Sequence, residues 1–361
     1  MFEGGSAMEL LQIDFGRISK ARKVYVVMGN EAADLDSMAS AVLYGFLKSK
    51  VDQDPSHFYL PFAPIPKEDF KLRTEAVYLF KEAGVGQESL AFQGEIDLQR
   101  LQEEGRLALI LMDHNKLGKE FVSYEGVVEE IIDHHKDEGT YPQARVRKIE
   151  PVGSTCTLVA EEYFRLAPKL LSRREALLLL GTILLDTVNL DPKAGRVTPK
   201  DAEVSEKLKP LVNIDPNVLF ETLQREKFNV DALQTADLLR KDYKEYIAGK
   251  VRYGMSTVLI SLESWKKKDP HLQQELEKYR KDKNLNLLVV MIAYTEPKFQ
   301  RELVLVAESP NLITSLVQYL NTKGAHLTSL GFPGGYTQGN AEYSRKKIQP
   351  LVQEFLAAGV G

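Results

Sequence analysis

Three short strand-like stretches in the first part of the chain, the apolar runs Lys23-Val-Tyr-Val-Val-Met28 and Leu107-Ala-Leu-Ile-Leu-Met112 and the mixed Val128-Glu-Glu-Ile-Ile132, each stop abruptly. They are bounded by turn-forming residues and are too short for buried helices, so they predict buried strands. Each run gives way to a polar stretch: Gly29-Asn-Glu-Ala-Ala-Asp-Leu-Asp-Ser37, Asp113-His-Asn115 and Asp133-His-His135. Between them the pattern switches to helical spacing. Asp36 and Ser37 are cap-type residues opening a helix that runs to Leu47. A strand over 57–61, a Pro-rich loop, an amphipathic helix over 72–83, a strand near 89–92 and a helix over 97–104 complete the alternation. Strands alternating with helices in this way predict a doubly wound, mostly parallel α/β sheet.

After the third run the pattern gives an edge strand over 144–149, a helix over 157–167 and a strongly apolar helix over 174–187. The Pro-, Asn- and Asp-containing stretch 210–217 marks a domain junction, dividing the chain into 8–212 and 217–361. Residues 217–246 read as helical. A second alternating set comes next: a strand near 253–261, a helix over 270–281, strands over 285–294 and 302–308, and a helix over 311–320. A glycine-rich turn at 331–335 and a helix opening near Ser344 end a smaller α/β C-terminal domain.

Composition narrows the class. At 361 residues, with 43% apolar and 27% charged residues, the chain reads as a soluble protein long enough for two cores. No run approaches the roughly 20 apolar residues of a membrane span. The N-terminal residues do not resemble a secretory signal. A single cysteine, Cys156, rules out an internal disulfide and fits a reducing compartment, so a cytoplasmic location is expected. The net charge of −4 argues against broad nucleic-acid binding and gives no reason to expect sequence-specific recognition.

The polar ends of the three strands carry the chemistry. In an open parallel sheet, ligands collect outside the carboxyl ends of the strands. There Asp34, Asp36, Asp113, Asp133, His134 and His135 would be crowded together, and carboxylates that close cannot all stay ionised without a cation. A divalent metal cluster resolves the crowding; a hairpin tip with two surface histidines is the plainer alternative for the last triplet. Asp186, closing an apolar helix, is either a helix-end surface residue or a buried ligand, and its surroundings favour the ligand. Gly153-Ser-Thr155 offers N–H groups to an anion, or simply caps a helix. Arg345, Lys346 and Lys347 in the first turn of the last helix oppose its dipole, which fits a phosphate clamp better than it fits helix propensity.

These motifs together resemble the DHH phosphoesterase superfamily, named for its Asp-His-His triplet, here Asp133-His134-His135. Gly29 through Ser37 is similar to the first motif of the eukaryotic exopolyphosphatase and Prune branch, with Asn30 where family II inorganic pyrophosphatases carry His. Asp113-His114-Asn115 matches the second motif, and Gly181 through Asp186 to Asn189 the fourth. Asp242-Tyr243-Lys244 and Ser344-Arg345-Lys346-Lys347 resemble the second type of DHH-associated domain. The Gly-Gly-Gly-His pattern of the RecJ-like nuclease branch is missing, and no counterpart of the long tail of animal Prune proteins is expected.

The resemblance implies an active site in the cleft between the two domains, built on two divalent ions. One ion would be held by Asp34 and Asp113, the other by Asp36, Asp113, His134 and Asp186. Asp113, His134 and His135 form the implied catalytic core, and Asp133 orients the imidazoles. Asn30, His114, His135, Lys244, Arg345 and Lys346 would contact substrate phosphate. Asn30 in place of an imidazole hardens the site toward Mg²⁺, with Mn²⁺ or Co²⁺ as substitutes. The implied activity is hydrolysis of terminal phosphoanhydride bonds of inorganic polyphosphate, short chains foremost, releasing orthophosphate. Cyclic nucleotide hydrolysis, pyrophosphate hydrolysis and a non-catalytic scaffold are the alternatives. Lys67, Lys71 and Arg73, in the 55–73 insert, either guide a longer polyanion or form a solvated surface.

Overall fold

The computed structural model describes residues 13–295 and 297–359. They fall into two compact units that divide between Asn229 and Val230. Residues 8 and 361, the expected outer limits of the two domains, lie outside the described residues.

The N-terminal unit is built on β1 (Lys23–Met28), β2 (His57–Ala63), β3 (Ala91–Phe92), β4 (Leu107–Met112), β5 (Val128–Asp133) and β6 (Val146–Ile149). All neighbours pair in parallel, in the order β3-β2-β1-β4-β5-β6. Successive side chains of a strand point to opposite faces, and both faces of this sheet are covered. Val24, Val26 and Met28 of β1 and Leu107, Leu109 and Leu111 of β4 join one core with α1 (Phe15–Ile18) and α4 (Leu98–Glu103). Tyr25, Val27, Ala108, Ile110 and Met112 join the other. That second core is filled by α2 (Leu35–Val51), α3 (Thr74–Glu82), α5 (Thr155–Leu166), α6 (Arg173–Asp186), α7 (Pro199–Val212) and α8 (Pro216–Phe228). Burial on both faces explains why β1 and β4 read as continuous apolar runs.

The expected doubly wound parallel sheet is therefore present, and β6 is its expected edge strand. Chain order reverses at β1 and β4, which lie side by side although β2 and β3 intervene in sequence. The crevice outside the carboxyl ends of such a pair is where open α/β sheets bind ligands. Gly29 serves that crevice sterically: a Cβ there would lie 2.5 Å from Ser37 Oγ, so only glycine lets the end of β1 pack against the start of α2.

The C-terminal unit holds a second sheet. It contains α9 (Thr235–Lys241), β7 (Tyr243–Ala248), β8 (Val251–Val258), α10 (Leu262–Lys268), α11 (Leu272–Asp282), β9 (Leu287–Thr295), β10 (Phe299–Ala307), α12 (Pro310–Thr322), β11 (Leu327–Ser329), β12 (Gly335–Gln338) and α13 (Arg345–Ala357). Its order is β11-β12-β10-β9-β8-β7, with only β8 and β9 parallel. The stretch 217–246, helical by its sequence pattern, is not one helix. It is α8, a break, α9 and the start of β7, an edge strand paired antiparallel to β8. The sequence pattern does not predict helices α1, α7 and α10 or strands β11 and β12.

Candidate metal centre

The loop leaving β1 is tied to the end of β4 by one side chain. Asn30 Nδ2 donates to Asp113 Oδ2 at 2.7 Å and to the Asp113 carbonyl at 3.3 Å, while its Oδ1 accepts from the N–H groups of Ala32 and Ala33. The loop then delivers Asp34, which is exposed and caps α2 by accepting from Ser37 N at 3.1 Å. Two residues on, Asp36 is buried.

The Asp36 carboxylate lies against the start of α5. Its Oδ1 accepts from Ser154 Oγ and Cys156 N, both at 2.9 Å, and its Oδ2 from Thr155 N at 2.7 Å. The anion at the Gly153-Ser154-Thr155 turn is thus the protein's own carboxylate, and Ser154 is the N-cap of the helix. A carboxylate has about four acceptor positions. One stays available on Oδ2, the oxygen 3.9 Å from His134 Nε2.

Asp113 sits at φ +64°, a left-handed conformation that costs a non-glycine residue about 1 kcal/mol or more. That backbone turn lets one carboxylate meet three neighbours. Its Oδ1 lies 3.1 Å from Thr155 Oγ1, 3.2 Å from His134 Nε2 and 3.7 Å from His135 Nδ1.

At the end of β5 the two imidazoles are oriented differently. His134 Nδ1 lies 2.9 Å from the Val152 carbonyl, an oxygen that only accepts, so Nδ1 carries the proton and Nε2 offers the lone pair of the neutral ring. His135 Nδ1 lies 2.8 Å from Asp133 Oδ1, and 57% of its side chain is exposed. Asp133 is fully buried, held also by Asn115 Nδ2 at 2.5 Å. It acts on His135 rather than on the cavity.

Asp186 ends α6, and its Oδ2 is buried with no hydrogen-bond partner among the described residues. An orphaned buried carboxylate oxygen costs several kcal/mol unless a proton or a cation joins it. The three residues Val188, Asn189 and Leu190 that soon follow are all left-handed, at φ 53°, 57° and 59°. Strain of this kind collects at functional sites.

Asn30, Asp34, Asp36, Asp113, His134, His135 and Asp186 line one cavity of about 540 Å³. Asp113, His134 and His135 offer ligand atoms within 4.8 Å of one another. The donors are carboxylate oxygens and imidazole nitrogens, a set that suits a divalent cation. Electrostatics agrees with that fit. Burial raises the Asp113 carboxyl to about 7, and the charge of Asp36 adds to the rise against the opposing hydrogen bond from His134. Burial and the neighbouring aspartates likewise raise Asp36 and Asp186. Burial alone would lower His134, but its bond to Asp113 and the charge of Asp36 outweigh it and lift it to about 10. His135 is raised chiefly by its hydrogen bond to Asp133.

Other residues singled out in the sequence lie elsewhere. His114 lines a neighbouring cavity with Asn30, Glu31 and Lys116, its Nδ1 3.0 Å from the Met112 carbonyl; burial lowers its pKa, favouring the neutral ring. In the C-terminal unit, Arg345 opens α13 and pairs with Asp242 at 2.8 Å, bringing the Asp242-Tyr243-Lys244 and Ser344-Arg345-Lys346-Lys347 motifs together. Lys244 and Lys346 are exposed. In the insert, Lys67 pairs with Glu95 at 2.7 Å. Arg73 donates to the Ala32 carbonyl at 2.7 Å, so it braces the loop carrying Asp34.

One important residue escaped the sequence reading. Asp201 is fully buried; its Oδ2 accepts from Gly153 N at 2.8 Å and from Thr198 N and Oγ1, both at 2.7 Å, and its Oδ1 from Thr157 Oγ1 at 2.5 Å. It fastens the start of α7 to the turn that presents Ser154 and Thr155. A Cβ on Gly153 would lie 2.4 Å from Thr187 Cγ2 and 2.6 Å from the Arg196 carbonyl, so the turn has no room to shift. Only the Ser/Thr-x-x-Asp capping-box spacing at Thr198-Pro-Lys-Asp201 could have pointed to it. Replacing Asp201 by Asn turns an amide toward several donors. Thermal denaturation of Asp201→Asn should show a melting temperature lower by about 5–10 °C, with weaker Mn²⁺ binding; an unchanged melting curve would remove Asp201 from this role.

Comparison with known proteins agrees with the geometry. The family model described as "DHH family, N-terminal domain" matches residues 24–183, and that described as "DHHA2 domain" matches 221–355. The chain is 35% identical over 353 residues to rat exopolyphosphatase PRUNE1, covering 94% of this chain and 77% of the relative. It is 29% identical to a putative exopolyphosphatase of Schizosaccharomyces pombe, covering 97% of this chain and 96% of the relative. It is also 26% identical to a manganese-dependent inorganic pyrophosphatase of Methanothrix thermoacetophila, covering 75% of this chain and 81% of the relative. With its Asp-His-His triplet on a six-stranded parallel sheet and a DHHA2 domain later in the sequence, the chain belongs to the DHH family, in the branch that holds the PRUNE1 exopolyphosphatases.

Proposed function

We propose that this protein is a metal-dependent exopolyphosphatase that hydrolyses terminal phosphoanhydride bonds of short inorganic polyphosphate and releases orthophosphate. The observation that carries the reading is the shared cavity of Asp34, Asp36, Asp113, His134, His135 and Asp186, with Asp186 Oδ2 buried and unpartnered. The names of the PRUNE1 relatives and the manganese-dependent pyrophosphatase support it.

Two divalent ions, Mg²⁺ or Mn²⁺ with Co²⁺ as a substitute, would be held by Asp34 with Asp113 and by Asp36, Asp113, His134 and Asp186. When bound, such ions polarise phosphoryl oxygens and lower the pKa of a water nucleophile. The chain's own residues do the rest. Asn30 holds the Asp113 carboxylate through Oδ2, fixing the carboxylate that the two sets share. The Val152 carbonyl holds the proton on His134 Nδ1, so the proton His134 gives up comes from Nε2, which then faces the cavity with a lone pair. His135, raised by Asp133, can present a proton to a phosphate oxygen from its exposed ring. Lys244, Arg345 and Lys346 of the C-terminal unit are the cations proposed to bind phosphate oxygens, and His114 is a further candidate contact. Spreading transition-state charge over such donors is how phosphoryl transfer is catalysed.

The test is orthophosphate release with Mg²⁺ or Mn²⁺ from tripolyphosphate, pyrophosphate, long-chain polyphosphate and cAMP. Tripolyphosphate should be cleaved fastest. Faster pyrophosphate cleavage would shift the reading to a pyrophosphatase. Turnover of cAMP alone would make the protein a phosphodiesterase, and no turnover of any substrate would leave a scaffold.

A further inference from the structure

The cavity that gathers the carboxylates is closed on one side by the segment joining α6 to α7, and Arg196 lies on its wall. Arg196 is exposed, and among the described residues it has no hydrogen-bond or ion-pair partner. Among the described residues, every other charged side chain lining that cavity is an aspartate or a histidine. Its backbone, in contrast, is pinned. Gly195 turns the chain at φ +65°, and Thr198 is bound by the buried Asp201 at 2.7 Å. The Arg196 carbonyl lies where a Cβ on Gly153 would come within 2.6 Å, so this segment is packed onto the turn that presents Ser154 and Thr155 to the aspartates. A fixed backbone carrying an uncommitted guanidinium beside an anion-processing cavity is the arrangement of a phosphate receptor. Guanidinium groups bind phosphate oxygens in pairs and keep their charge at every pH of interest.

We propose that Arg196 is a substrate-binding residue supplied by the N-terminal unit, gripping a phosphoryl group of a phosphoanhydride whose neighbouring phosphoryl group lies among the carboxylates. This rests on the functional reading above and names a ligand contact for it that the motifs do not contain. A substrate with two or more linked phosphoryl groups can satisfy Arg196 and the aspartate cluster at once; a lone phosphate cannot do both as well. Arg196 thereby selects for phosphoanhydrides over orthophosphate.

Calorimetric binding of imidodiphosphate, a non-hydrolysable phosphoanhydride mimic, in the presence of Mn²⁺ tests the proposal without turnover. Arg196→Ala should weaken imidodiphosphate binding about tenfold or more, the size expected for losing a charge-assisted contact. Orthophosphate binding should change far less, Mn²⁺ binding should stay as in the wild type, and Arg196→Lys should restore part of the loss. In turnover of tripolyphosphate, KM should rise with kcat nearly constant. Unchanged imidodiphosphate affinity in Arg196→Ala overturns the proposal, as does a parallel fall in Mn²⁺ affinity, which would mark a structural role. Wild-type protein that fails to bind imidodiphosphate also overturns it. Wild-type protein that binds imidodiphosphate through Arg196 yet cleaves no phosphoanhydride sinks the functional reading alone.

Discussion

Asp113→Asn is expected to lower phosphate release by about a thousandfold or more, because several kcal/mol of transition-state stabilisation by bound cations corresponds to that factor. The substitution is well suited to the position. Asn tolerates the left-handed backbone at φ +64°, and its side chain has the same shape. The stability of the metal-free protein should move the other way. The folded-state pKa of Asp113 is raised to about 7, above the unfolded carboxylate value, by burial and by Asp36. Its contribution to stability is therefore full below about pH 4 and is lost as pH rises through 7. At pH 8 the ionised carboxylate opposes folding, and the neutral amide does not. Metal-free Asp113→Asn should thus melt about 5 °C higher than metal-free wild type at pH 8, with the gap closing toward pH 4. Adding Mn²⁺ should reverse the ranking: a ligand at a hundredfold its Kd stabilises by about 2.7 kcal/mol, and only the wild type should gain it. Retained activity together with a retained Mn²⁺ shift in the variant would refute the placement of Asp113 at the centre of the site.

Chelation should abolish phosphate release, and Mn²⁺ affinity should depend steeply on pH. Carboxylates and imidazoles must lose their protons to bind a cation. Asp113 titrates near 7 and His134 near 10 in the metal-free cluster. Mn²⁺ affinity should therefore climb by about tenfold or more per pH unit between 6 and 7. Above 7 it should climb less steeply, because Asp113 is already ionised and His134 still has a proton to give up. Calorimetric titrations in two buffers of different ionisation enthalpy count the protons released. The count should be larger at pH 6 than at pH 8. An affinity flat from pH 6 to 8 would mean that these two groups do not meet the ion.

Much of this arrangement was legible in the sequence, for a physical reason. Strands β1 and β4 are buried on both faces, so each reads as an apolar run, and β1, β4 and β5 all end where candidate ligand residues begin. Asp186 stood out because a carboxylate closes the apolar run of α6. The helix expected over 217–246 failed because β7 is an edge strand. Its Lys244, Glu245 and Ile247 are exposed, leaving no apolar alternation, and its pairing with β8 is what makes it a strand. Asp201 and Arg196 were not legible because their significance lies in the packing of the α6–α7 connection against the α5 turn. The grip of α5 on Asp36 was equally hidden: spacing shows a cap-type turn, but not which carboxylate comes to it.

That grip has a consequence for how the protein is handled by a cell or a biochemist. Backbone amides, a serine hydroxyl and an asparagine already hold Asp36 and Asp113 in place through contacts within the polypeptide. Metal loading at these carboxylates would then be an exchange of protons for ions on a finished scaffold, unlike a zinc finger, which has no shape until its metal arrives. A stripped sample should keep its native circular dichroism, and returning the metal should restore activity without a refolding step.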